Sequence, residues 1–148
     1  MRHHRPRLKL SPWLKRWLYA SGFVLLASGA GWLLIHYLLS DPEGLPSPAE
    51  PWLMRLHGLA SFSALLSLGA VAGQHLPQGW RLTREPNRRP QRRTGLVLCS
   101  LLGAVVALAY GLYYLIPESM HNGFGLLHTG LALASLAAWQ WHRAGAQG

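Results

Sequence analysis

Residues 51–75 read PWLMRLHGLASFSALLSLGAVAGQH, an apolar stretch interrupted by Arg55 and bracketed by two histidines. A helix needs about 20 such residues to cross a bilayer. Three further blocks have this character, and together they give spans at about 13–39, 49–75, 94–116 and 119–142. The expected fold is all-α: an integral-membrane four-helix up-down bundle. Residues 1–12 and 144–148 form short tails around one transmembrane domain, residues 13–143.

The formal charge of +9 is arranged by topology. Arg2, Arg5, Arg7, Lys9, Lys15 and Arg16 precede or open the first span, and Arg81, Arg84, Arg88, Arg89, Arg92 and Arg93 lie between the second and third. Arg143 follows the fourth, which leaves Arg55 for the other side with Asp41, Glu43, Glu50 and Glu118. The positive-inside rule then puts both termini in the cytoplasm. Because topology accounts for the arginines, no nucleic-acid partner is expected. The apolar run after the basic start continues past the weak Ser28-Gly29-Ala30 cleavage pattern, which favours an uncleaved anchor.

Local signals set the helix limits. Ser11-Pro12 pairs a cap with a first-turn proline. Ser47-Pro48-Ala49-Glu50 reads as a capping box, and Pro77 with Gly79 reads as the end of helix two. Pro117 stops helix three, with His121 in the short turn that follows, so helices three and four should be antiparallel neighbours. Cys99 is the single cysteine. It excludes an internal disulfide, a Cys-x-x-Cys zinc site and a Cys-x-x-Cys-His haem attachment. A small buried apolar role is expected for it.

The chemistry-bearing residues are histidines. His57 and His75 are 18 residues apart, and His128 and His142 are 14 apart. At about 100° per residue both pairs fall on one helix face. An ionisable side chain within a bilayer is costly and points to function. Helices two and four run in the same direction, and His57 and His128 lie 8 and 9 residues from the expected starts at Ala49 and Ser119. They would therefore share a level near the outer leaflet. His75 and His142 would form an inner level, although about 27 Å and about 21 Å of helix separate them from their outer partners.

Two imidazoles can fill both axial positions of a haem iron. Small residues on these faces, Ala60, Ser61 and Ala64 on helix two and Ala132 and Ser135 on helix four, would leave room for a flat macrocycle. The same residues would equally serve close helix packing. Arg55 suits a haem propionate, and its alternatives are a snorkelling arginine or a pair with Glu50 or Glu118. His36, near the outer end of span one, is a substitute ligand, a propionate partner or an interfacial residue. The expected cofactor is haem b, one or two per chain, with quinone as a second small-molecule partner.

The plan resembles the b-type cytochrome subunits of nickel–iron hydrogenases and membrane formate dehydrogenases. Those have four-helix cores whose haems are held by histidines, including a pair spaced like His128 and His142. His57, in Arg55-Leu56-His57-Gly58, matches the partner of their outer haem. In that family the inner haem takes a ligand from the cytoplasmic end of helix one. His36 lies at the opposite end, so His75 would take that role here. The chain is also similar to small bacterial four-helix membrane proteins of unassigned function. Its matching pieces are Ser28-Gly29 with His36, Leu56-His57-Gly58, His75 with Gly79-Trp80-Arg81, Gly111-Leu112-Tyr113-Tyr114, and Leu127-His128 with His142.

The resemblance implies electron transfer across the bilayer in a bacterial inner membrane, between a quinone pool and a redox protein partner or a larger membrane complex. The rival expectation is a non-redox accessory subunit whose histidines are structural. A transporter ranks last, because the apolar cores hold almost no acids.

Overall fold

The computed structural model describes residues 10–39, 45, 47–82 and 89–145. The expected N-terminal tail up to Lys9, most of the Asp41–Pro46 loop and residues 83–88 of the basic loop lie outside the described residues. All regular structure described is helical: α1 (Pro12–Leu34), a π-helical continuation at Ile35–Leu39, α2 (Ala49–Leu82), α3 (Arg89–Tyr114), a 3-10 turn at Glu118–Met120, and α4 (His121–Gly145). The chain divides into two compact units, Met1–Gln78 and Gly79–Gly148.

Among the described residues three helical segments are long and apolar enough to cross a membrane: Pro12–Leu39, Ala49–Arg81 and Pro90–Tyr114. With 25 residues, α4 is long enough, but it is not among the three. His128, Thr129, Gln140 and its glycines dilute its apolar character.

Burial is inverted relative to a water-soluble protein. Among the described residues thirty large hydrophobic side chains are exposed, including Phe23, Phe62, Leu59 and Leu133. The buried residues described are small or polar, Ser21, Ser28, Ala60, Ala64, Ser67, Thr94, Gly111, Ser135 and Ala138, with Leu14 the one large apolar side chain among them. A surface this apolar around such a centre suits lipid as solvent, where small residues bring backbones together.

In the first unit α1 and α2 pack antiparallel. Trp17 Nε1 donates to Ser63 Oγ at 2.8 Å, Ser28 meets His57, Gly31 faces Leu53, and His36 reaches Glu50. The α2 face turned to α1 carries Leu53, His57, Ala60, Ala64 and Ser67, at alternating steps of four and three. That spacing keeps one seam against a neighbouring helix. Buried serines close their own hydroxyls locally. Ser21 donates to Trp17 O and Ser67 to Ala64 O, both at 2.9 Å, so a polar seam leaves these hydroxyls satisfied.

The second unit repeats the arrangement with α3 and α4. Gln91 Nε2 donates to Gly145 O at 2.8 Å, and Thr94 meets His142. His128, Leu131, Ser135, Ala138 and His142 continue one α4 face at steps of three and four. The tight connection between these helices is built at Gly111, whose carbonyl accepts from the amides of Leu115 (2.9 Å) and Ile116 (2.8 Å). A Cβ on Gly111 would stand 3.3 Å from Ile116 Cδ1, so the glycine lets this side chain fold back. His121 Nε2 donates to Ile116 O at 2.9 Å and ties the turn. His121 is thus the first residue of α4 and not part of a free loop.

Several boundaries differ from expectation. The Ser11 cap forms as read, its Oγ accepting from Leu14 N at 3.2 Å with Pro12 in the first turn. By contrast α2 does not stop near His75 but runs through Pro77 to Leu82. Pro77 forfeits one hydrogen bond, and its ring crowds the carbonyl four residues back. That carbonyl belongs to Gly73, whose peptide can tilt without a side chain to move. The start of α3 at Arg89 lies five residues ahead of the expected span, because basic side chains are good helix formers outside the apolar core. Ser47 Oγ accepts from Ala49 N at 3.4 Å, while Glu50 Oε2 lies 3.0 Å from His36 Nδ1, a partner the capping-box reading did not name. Cys99 is exposed, not buried.

Candidate cofactor site: the histidine seats

His57 sits on α2, eight residues beyond Ala49, and turns its ring into the seam with α1. Its Nδ1 lies 3.1 Å from Ser28 Oγ and 3.1 Å from Leu25 O. A carbonyl only accepts, so in the neutral ring Nδ1 carries the proton. The Ser28 hydroxyl hydrogen is directed at Val24 O, 2.7 Å away, which leaves Oγ free to accept from the ring. Nε2 is then the nitrogen with the lone pair, the usual metal-binding form of imidazole. Behind the ring stands Gly29. A Cβ there would come within 3.3 Å of His57 Cε1.

His142 is seated in the same way near the end of α4. Its Nδ1 lies 2.9 Å from Thr94 Oγ1, and that hydroxyl donates to Gln91 O at 3.0 Å. Both contacts are hydrogen bonds at once only when the hydroxyl hydrogen goes to Gln91 O and His142 Nδ1 donates to Oγ1, the arrangement that matches the His57 seat. Gly95 leaves the room, and a Cβ there would come within 3.3 Å of His142 Cε1. Each seat is thus a hydroxyl residue followed by glycine on one helix, Ser28-Gly29 or Thr94-Gly95, receiving an imidazole from the next.

His128 lies two heptads before His142 on the same α4 face. The Val105 backbone on α3 is a polar neighbour of its ring, yet Nδ1 is buried and has no partner at hydrogen-bonding geometry. A buried polar atom left so costs on the order of 1–3 kcal/mol. His75 is half-buried on α2.

The remaining residues with expected roles lie toward the exposed surface. His36, in the π-helical turn, is hydrogen-bonded through Nδ1 to Glu50 Oε2 at 3.0 Å and stacks on Trp32 with ring centres 4.4 Å apart. The exposed Arg55 lies over the Trp52 ring at 4.8 Å. This cation–π contact was absent from the sequence reading. Similar contacts join Arg92 to Trp80 at 3.9 Å and Arg143 to Trp139 at 4.8 Å.

His57 and His75 belong to the first unit, His128 and His142 to the second. Each expected cross-helix pair therefore takes one histidine from each unit. The His faces expected to flank a macrocycle are the faces along which the two hairpins close. Among the described residues no three histidines, cysteines or acids cluster as a metal site. A bis-histidine iron asks for two. Sequence reasoning missed Thr94-Gly95 altogether. It noted Ser28-Gly29 without a partner, and the only available signal was a hydroxyl–glycine pair in an otherwise apolar helix.

No protein-family model, no curated protein and no solved structure matches the chain.

Proposed function

We propose that this chain is a b-type cytochrome of the bacterial inner membrane, carrying electrons across the bilayer on one or two bis-histidine haems. The observation that carries the reading is the state of the imidazoles. His57 and His142 are each fixed through Nδ1 to an oxygen on a neighbouring helix, which keeps Nε2 as a lone-pair donor. Oriented imidazole with its far nitrogen hydrogen-bonded is the form that axial ligation requires. His128 supports the same reading from another side, since its buried Nδ1 has no hydrogen-bond partner among the described residues and is a nitrogen that a ligand could engage.

His57 with His128 would hold an outer haem, and His75 with His142 an inner one. Arg55 is assigned to a propionate of the outer haem, and His36 to its periphery. When bound, haem b supplies reversible one-electron chemistry at its iron. The chain's own residues orient the rings, exclude water with an apolar shell and hold each seat's proton on Nδ1. Both termini face the cytoplasm and α4 completes a fourth span, its modest hydropathy reflecting the histidines it carries. A quinone and a redox protein are the electron partners.

A second reading is favoured by one feature. The imidazole–hydroxyl bonds also stitch α1 to α2 and α3 to α4, as interhelical polar bonds do in structural membrane subunits. On that reading the chain is a non-redox accessory subunit and binds no haem. Full-length chain purified in mild detergent separates the two. The cytochrome reading expects a Soret band that His57→Ala and His128→Ala each diminish. A band indifferent to both substitutions would sink it.

A further inference from the structure

The two histidine seats differ in sequence and in position along the helices, but they share one construction. A β-hydroxyl oxygen lies within hydrogen-bond distance of imidazole Nδ1 and of a carbonyl of its own helix, and the following glycine clears the ring's Cε1. Helix packing alone asks for a small residue at such a place, and alanine would meet that need. A hydroxyl already spent on its own helix adds an acceptor for the incoming ring, and so fixes which nitrogen bears the proton.

We infer that Ser28 and Thr94 are positioning residues that hold His57 and His142 in the Nδ1–H tautomer and thereby tune the haems these rings ligate. The inference rests on the cytochrome reading for its ligand role. The Leu25 carbonyl shares the task at His57, and Gly29 and Gly95 set how deeply each ring enters. An imidazole whose Nδ1–H is hydrogen-bonded is the more basic axial ligand, and outer partners of this kind typically contribute about 10- to 100-fold to metal affinity. A more basic ligand favours ferric over ferrous iron. Each hydroxyl therefore retains haem and lowers its midpoint potential.

The test uses the full chain as purified, kept reduced so that any low-spin iron is diamagnetic. Long-range nitrogen–proton NMR correlation of the imidazoles reads the tautomers with or without haem. Haem retention on dilution and redox titration read the ligand role. Nδ1–H is expected at both His57 and His142. Ser28→Ala and Thr94→Val should weaken haem retention by about 10- to 100-fold and raise the midpoint potential. Ser28→Thr and Thr94→Ser should restore both, which a steric role alone would not produce. A proton on Nε2 of either ring would overturn the inference, as would Ser28→Ala and Thr94→Val variants whose haem retention and potential match the parent. A haem-free chain with both rings in the Nδ1–H form would overturn the cytochrome reading and the tuning role together, and would leave the seats as structural stitches.

Discussion

At the scale of single residues, the chain uses glycine and hydroxyl side chains where its rings meet a neighbouring helix. Gly29 and Gly95 stand where a Cβ would be 3.3 Å from His57 Cε1 and His142 Cε1. Gly29→Ala and Gly95→Ala should therefore overpack their seams and cost about 1–3 kcal/mol, read as lowered resistance to denaturant in detergent. Gly22→Ala is the control. Nothing lies within 4 Å of a Cβ there, and the gain in helix propensity should leave stability unchanged or slightly improved. Equal losses at all three positions would contradict the seats. The histidines themselves were legible in the sequence because ionisable residues stand out in apolar helices. Their partners were not, since Ser28 and Thr94 look like any other membrane-helix hydroxyls. Which nitrogen of a ring is engaged depends on a neighbour 29 or 48 residues away.

Secondary-structure elements follow local chemistry at the start of α1 and depart from it at the end of α2 and the start of α3. Ser11 caps α1 as its sequence suggests. Ser11→Ala should cost about 1 kcal/mol locally, measured as faster hydrogen exchange at the Leu14 amide. Pro77 misled because a proline-stop rule ignores the residue four positions back, here Gly73. The seams are built from alternating steps of three and four, which periodicity revealed. Periodicity did not say whether that face meets a cofactor or the adjacent helix. In the first hairpin the Trp17–Ser63 bond is a further cross-seam tie. A double-mutant cycle with Trp17→Phe and Ser63→Ala should give a coupling of about 0.5–1.5 kcal/mol. A coupling near zero would remove this bond from the account of the seam.

For the whole molecule, hydropathy foretold four helices and lipid as the surrounding medium, and the exposed apolar surface agrees. It overstated α4, whose polar residues set it apart from the other three. Reporter fusions after Gly148 address that helix directly. With α4 across the bilayer the C-terminus lies in the cytoplasm with the N-terminus, and a C-terminal reporter active only outside would contradict the fourth span. The central claim is redox chemistry carried on the histidine levels, and its most direct test is a reduced-minus-oxidised spectrum of the full chain with haem b quantified per polypeptide. The account predicts a low-spin b-type difference spectrum with one or two haems per chain. A folded, colourless chain with no such spectrum, when expressed with ample haem, would contradict it.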